Sequence, residues 1–396
     1  MKYRRFGRTQ LQMPVFSCGG MRYQQKWGDF DPAEITPENQ ANLEATVHRA
    51  VELGICHIET ARGYGSSEFQ LGRVLPKLPR EKMIVQTKVG PSEDPRQFLE
   101  TFNKSMNYLQ LDYVDLLAFH GVNNLEVFHQ VVLRGGCLEV ARQIQKEGRA
   151  RFIGFSTHAP CDVIRQAAQT SEFDYMNVHW YFVNDLNWGA IEAATQEDMG
   201  VFIISPNDKG GLLYQAPAKM KELCEPLTPM QFNDLYCLQR PEVHTLSIGA
   251  SRPTDFDEHV EALKYYDDIP ATIAPIEERL RSTMAAALGE DWCRRWFEGV
   301  PEFTAIPGEI NVLEILRLWT YAKSLDLVEW GKMRYNLLGN AGHWFPGQKA
   351  ADLDDEKTRQ LVAALRQSPL ADRIPAVLRE AHALLNAEEK KRLSES

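Results

Sequence analysis

Long apolar runs are missing from this chain. None approaches the ~18 residues a membrane helix needs, so the sequence offers no spanning segment. Cysteine is sparse. The seven residues (Cys18, Cys56, Cys137, Cys161, Cys224, Cys237 and Cys293) are widely spaced and include no CxxC pair. That spacing excludes a zinc site or a disulfide framework and fits reduced thiols in the cytosol. An excess of positive charge is also missing. The net charge is −10 with Lys and Arg scattered, which argues against a nucleic-acid partner. No GxGxxG follows a strand-like run, so a Rossmann domain has no support. The basic opening Met1-Lys-Tyr-Arg-Arg lacks the apolar stretch of a signal peptide, and the expectation is a cytoplasmic protein.

What is present is alternation. Short β-rich runs recur at Val15–Cys18, Cys56–Thr60, Met83–Lys88, Tyr113–His120, Arg151–Ser156, Tyr175–Val178, Val201–Ser205 and Thr245–Gly249. Helical patterns such as 40–53, 95–109 and 125–147 lie between them. The runs are apolar on both faces, as in a sheet covered by helices. Repeated βα units in this number predict an α/β fold of the TIM (β/α)8 barrel type. The alternation stops near residue 270, and patterns at 274–288, 312–324, 357–366 and 374–385 are helical. The 396 residues exceed the roughly 250 to 330 of one barrel, so two domains are expected: a barrel over 1–269 and a helical C-terminal domain over 270–396.

Active sites of such barrels sit where the strands end. Glu59 ends the second run, Lys88 the third and His120 the fourth, while Tyr64 follows in the loop after Glu59. Adjacent strands would bring these four side chains to one mouth. Tyr64 is then the candidate acid for a carbonyl that receives a hydride. A phenol near pKa 10 is a poor acid at neutrality, and a neighbouring Lys88 ammonium would lower that value. Glu59 would hold Lys88, and His120 would orient the substrate oxygen. Taken singly, each residue has an ordinary structural explanation: a salt bridge, a satisfied histidine, a loop aromatic. Their occurrence on three successive strands is what argues for chemistry.

Several motifs occur in order: Arg4-Arg-Phe-Gly-Arg-Thr9, Ile58-Glu-Thr-Ala-Arg-Gly-Tyr-Gly-Ser-Ser-Glu68, Thr87-Lys-Val89, Asp115-Leu-Leu-Ala-Phe-His120 and Gly148-Arg-Ala-Arg-Phe-Ile-Gly-Phe-Ser156. Over residues 1 to about 267 the chain resembles the aldo/keto reductases. The resemblance implies a cytoplasmic oxidoreductase that reduces an aldehyde or ketone with NAD(P)H, and a catalytic tetrad at Glu59, Tyr64, Lys88 and His120. The family has Asp at the first position, and this chain has Glu, one methylene longer. The resemblance further implies that Ser156 and Asn177 hold the nicotinamide carboxamide, with Thr157 at a position usually Asn. Ser205, Gly210 and Gly211 correspond to the loop over the diphosphate. Gly249, Ser251, Arg252 and Glu258 correspond to the adenosine segment. Ser251 and Arg252 are candidate ligands of a 2′-phosphate and imply NADPH. Asp255 stands where the family often has Arg, and a carboxylate suits the free ribose of NADH. Trp27, Trp180 and Tyr181 suggest an apolar substrate pocket.

The C-terminal part resembles, at Val312-Leu-Glu-Ile-Leu-Arg-Leu318, Trp330-Gly-Lys-Met-Arg-Tyr335 and Asp372-Arg-Ile-Pro-Ala-Val-Leu378, the ferredoxin-like domain of one branch of these reductases. Only Cys293 lies beyond residue 237, too few thiolates for a cluster. The expectation is a domain without iron–sulfur and without a metal site; a helical interaction module of separate origin is the other reading. Its protein partner is not legible. Against the enzyme stands a cofactor-binding redox sensor that signals through the C-terminal helices.

Overall fold

A computed structural model describes residues 1–28 and 30–387, so the last nine residues of the 270–396 segment lie outside the described residues. The chain divides into two compact units. The first comprises Met1–Asn207 and Asn233–Ile269; the second comprises Asp208–Phe232 and the chain from Pro270 onward.

The first unit is a closed parallel barrel of eight strands. In chain order these are β1 (Phe16–Gly19), β2 (His57–Glu59), β3 (Ile84–Val89), β4 (Val114–His120), β5 (Ala150–Ser156), β6 (Tyr175–Val178), β7 (Gly200–Ile203) and β8 (Thr245–Ile248). Each pairs with the next, and β8 closes on β1 through Ser247 opposite Ser17. All of β3 is buried, as expected of a strand with helices outside and side-chain layers inside. A hairpin of Tyr3–Arg5 and Gln12–Pro14 precedes the barrel. Its Phe6 and Met13 pack with Ile84, Leu116, Tyr175 and Phe202, filling the end where the strands begin. Above that apolar plug lies a polar layer. The Ser17 hydroxyl is 2.6 Å from His57 Nδ1 and 2.7 Å from the Thr245 hydroxyl, and His57 Nε2 is 3.2 Å from Gln86 Oε1. Burial holds His57 down at about 3, so this imidazole is neutral.

The outer helices follow amphipathic logic. Helix Pro95–Leu109 is capped by the Asp94 carboxylate, buries Phe98, Phe102, Met106 and Leu109, and ends at a left-handed Gln110. Asp115 ties β3, β4 and β5 together: it accepts from Val85 N at 2.9 Å and pairs with Arg80 and Arg151, each at 2.7 Å.

The described part of the second unit has helical and irregular segments. Helix Val312–Leu325, capped by Asn311, is buried along most of its length, which marks it as the central element of this unit. Helices Val328–Tyr335 and Ile374–Leu385 pack against it. Trp292 is fully buried, donates to the Thr320 hydroxyl at 2.9 Å, and meets Trp319 edge-on with ring centroids 5.2 Å apart. Within the same unit Trp330 Nε1 donates to the Lys209 carbonyl at 3.0 Å. No described helix is long and apolar enough to cross a membrane.

Candidate active site

The end of β2 and the loop after it are held by a buried network. Glu68, fully buried, pairs with Arg62 at 2.5 Å and accepts from the Thr87 hydroxyl at 2.5 Å. Arg62 also donates to the Gly65 carbonyl at 3.0 Å. Gly65 has φ +52°, and a Cβ there would lie 1.9 Å from the Lys26 carbonyl oxygen, so the turn accepts only glycine. This turn fixes Tyr64 over the barrel mouth.

The four candidate chemical groups converge. Lys88 and Glu59 form an ion pair, and they are only 1% and 3% exposed. Lys88 also donates to the Thr60 carbonyl at 2.7 Å. The Tyr64 hydroxyl donates to Glu59 Oε1 at 3.4 Å. The Tyr64 ring lies edge-on to His120 with centroids 5.6 Å apart, and Trp27 meets it at 6.2 Å.

One detail departs from the electrostatic expectation. Lys88 Nζ lies over the face of the Tyr64 ring, 4.5 Å from its centroid, while the hydroxyl turns to Glu59. The longer glutamate takes both the ammonium and the phenol. Burial accordingly pushes the Tyr64 phenol up rather than down, and it drives the Lys88 ammonium well below its usual range. In this arrangement Lys88 does not acidify Tyr64.

A single register row crosses three strands: His120 on β4 faces Ser156 on β5, which faces Asn177 on β6. Ser156 Oγ accepts from Gly121 N at 3.1 Å. Thr157 is occupied locally, donating to the Val122 carbonyl at 2.6 Å. Asn177 is fully buried, yet neither Nδ2 nor Oδ1 has a hydrogen-bond partner. A buried primary amide with both ends unsatisfied costs about 1–3 kcal/mol for each group left unpaired. It fits a ligand that presents an acceptor and a donor together, and a carboxamide does so.

The remaining candidates are distributed. Ser205 follows β7 with φ +52°, a strained value for a non-glycine residue. Gly210 and Gly211 belong to the segment Asp208–Phe232, and Gly211 has φ +129°. Gly249 follows β8 and its carbonyl accepts from Arg22 at 2.9 Å. Glu258 lies in the first turn of helix Asp257–Ala262. Ser251 and Arg252 are together, but Asp255 engages both: Ser251 N and Oγ each donate to it at 2.9 Å, and Arg252 Nε does so at 2.9 Å.

Two clusters escaped the sequence reading. Buried His259 lies 2.5 Å from Asp234, and its Nε2 lies 3.4 Å from Asn207 Nδ2. Burial opposes the charge on His259, but the Asp234 carboxylate outweighs it and raises the imidazole. Beyond β5 and β6, His158, His179 and Tyr181 form a hydrogen-bonded chain. Neither cluster has a short sequence signature. Among the described residues no group of three or more His, Cys, Asp or Glu could hold a metal ion.

Comparison with known proteins shows the family of the chain. The profile of the Aldo/keto reductase family matches residues 16–269. L-galactose dehydrogenase of Arabidopsis thaliana is 26% identical over 296 residues, covering 66% of this chain and 88% of that protein. L-glyceraldehyde 3-phosphate reductase of Escherichia coli K12 is 23% identical over 336 residues, covering 71% of this chain and 92% of that protein. Among solved structures, the holo form of an aldo-keto reductase from Bacillus halodurans shares the fold with a TM-score of 0.58 at 21% identity, over 70% of this chain and 96% of that one.

Proposed function

The chain belongs to the aldo/keto reductase family, and from that premise we propose that its barrel reduces an aldehyde or ketone to an alcohol with NAD(P)H, Tyr64 being the proton donor. The observation that carries the proposal is the meeting of Glu59, Tyr64, Lys88 and His120 at the ends of successive strands. The cofactor, when bound, supplies the hydride. Asn177 and Ser156 hold the carboxamide, which answers the unpartnered amide of Asn177. His120 orients the carbonyl oxygen. Tyr64 releases its hydrogen bond to Glu59 and gives its proton to that oxygen as negative charge develops there. Glu59 holds Lys88 in place beside the site. Ser205 lies toward the diphosphate, and Gly249, Ser251, Arg252 and Glu258 take the adenosine end.

NADPH is the proposed cofactor. Arg252 is 72% exposed, so its pairing with Asp255 is weak and a dianionic 2′-phosphate can compete for it. The hold of Asp255 on both Ser251 and Arg252 favours NADH as the second reading. The iron–sulfur branch belongs to the proposal as well, with a C-terminal domain that keeps the helices and lacks the cluster ligands. The substrate is a small carbonyl compound, and the protein works in the cytoplasm.

Oxidation of NADPH and of NADH in the presence of 4-nitrobenzaldehyde tests the reading. Turnover with either establishes the reductase. Binding of both cofactors without turnover would replace it with the redox-sensor reading.

A further inference from the structure

The loop after β7 and the helix after β8 are joined by a buried chain of side chains. Asn207 stands two residues beyond Ser205, and His259 directly follows Glu258, so each end of the chain adjoins a proposed cofactor ligand. His259 Nδ1 is 2.5 Å from Asp234 Oδ2, and its Nε2 is 3.4 Å from Asn207 Nδ2. His259 is 3% exposed, Asp234 0% and Asn207 8%. The Phe16 ring of β1 meets the imidazole edge-on, with centroids 5.8 Å apart. Asn233, next to Asp234 in helix Pro229–Leu238, pins the same loop: its Nδ2 donates to the Pro206 carbonyl at 3.0 Å, and its Oδ1 accepts from Phe182 N at 3.3 Å. The loop is therefore held at successive residues, by its backbone at Pro206 and by its side chain at Asn207.

The chain has a direction. A carboxylate only accepts, so the bond to Asp234 uses the proton of His259 Nδ1 and leaves Nε2 as a lone pair. That lone pair accepts from Asn207 Nδ2, and the Asn207 carbonyl is left over. Asn207 Oδ1 is buried and has no hydrogen-bond partner. Buried amide oxygens are nearly always paired, so this one calls for a donor from a ligand. A second proton on His259, which burial opposes and the Asp234 carboxylate favours, makes Nε2 a donor. The Asn207 amide then turns over, and Nδ2 becomes its free end. A hydroxyl both donates and accepts, so it suits the amide in either orientation, whereas a phosphate oxygen only accepts and suits one.

We infer that Asn207 binds a ribose hydroxyl of the nicotinamide cofactor, and that Asp234 and His259 are positioning residues that orient its amide. The inference rests on the proposed placement of the cofactor and names the group of it that this loop takes. A pair serving the fold alone gains little from an imidazole and a carboxylate in the interior, where well-packed apolar side chains do as well.

Calorimetric titration of the full chain with NADPH and with NADH tests this. Asn207→Ala should weaken both by about 3- to 10-fold, the worth of one hydrogen bond. With 4-nitrobenzaldehyde it should raise KM for the cofactor more than it lowers kcat. A loss confined to NADH would assign the hydroxyl to the adenosine 2′ position, which carries phosphate in NADPH. Asp234→Leu cuts the chain without leaving a charge unpaired. It should weaken binding on its own and add nothing to Asn207→Ala, because it acts through that amide. Additive losses would overturn the positioning role and leave the pair to the fold. Asn207→Ala removes no charge, so its result decides the binding role even if the buried substitution does not fold. Native affinity for both cofactors in Asn207→Ala would overturn the inference alone. No binding of either cofactor by the unsubstituted chain would overturn the cofactor reading and the inference with it.

Discussion

Each unit buries an ion pair, and the two pairs are built differently. In the barrel, Lys88 and Glu59 are 29 residues apart and meet only because β2 and β3 are neighbours. In the C-terminal unit, Arg317 and Glu314 sit three residues apart on helix Val312–Leu325, and Arg317 also stacks over the Trp330 ring at 5.2 Å. The helical pair uses a guanidinium, which stays charged and shares its charge with a π face. The barrel pair uses an ammonium, which burial pushes well down, beside a phenol that bonds to the same carboxylate. The first arrangement stabilises a fixed structure. The second keeps two titratable groups at the strand ends at a cost in stability, which fits the proposed chemistry.

Removing the proposed acid is the harshest way to test this contrast. Tyr64→Phe should lower kcat by about 10²–10⁴ while cofactor affinity stays near native, because the lost group acts on the reacting oxygen. Near-native kcat would remove Tyr64 from the role of proton donor.

The pairs themselves should differ in stability. Lys88→Met leaves Glu59 buried without a counter-charge and should cost about 3–5 kcal/mol by denaturant titration. Arg317→Met should cost less, about 1–3 kcal/mol, since Glu314 is 16% exposed and can reach water. Equal losses would mean that burial does not separate the two pairs.

Acid should act on the barrel interior through His57. Its folded value of about 3 lies below the ordinary 6.5, so the unfolded chain binds the extra proton between those limits. Stability from this group is therefore complete above pH 6.5 and is lost as pH falls toward 3. His57→Gln, which can keep a hydrogen bond to Gln86, should flatten the dependence of Tm on pH in that window. An unchanged profile would assign the acid sensitivity elsewhere, for example to His244, which burial holds down at about 4.

The smallest effect concerns the cofactor. Asp255→Asn frees Ser251 and Arg252 and should tighten NADPH by about tenfold relative to NADH in calorimetric titration, the worth of one charge-assisted contact. A ratio that does not move would separate these residues from the 2′-phosphate.

Much of the molecule was legible in the chain order. The barrel strands lie where apolar runs end in Glu59, Lys88 and His120, because a strand covered on both faces writes its burial as an unbroken run. The convergence of those residues followed from the fold, since adjacent parallel strands end at one mouth. The chain His158–His179–Tyr181 was not legible, because its members come from two strand ends and no spacing rule links them. The unsatisfied state of Asn177 was equally hidden, since satisfaction depends on every neighbour.

The sequence by itself determined the apolar runs, their alternation with helices, and which strand end carries which polar residue. These depend on neighbours within a few positions, where covalent geometry fixes what can meet. Only the tertiary structure decided that Glu59, one methylene longer than the family's aspartate, would take the Tyr64 hydroxyl and leave Lys88 on the ring face. It alone decided that Asp255 would occupy Ser251 and Arg252, and that Asp208–Phe232 would join the helical unit. Each outcome is a choice among partners at similar distances. Differences below one ångström and the loss of water settle such choices, and a linear pattern encodes neither.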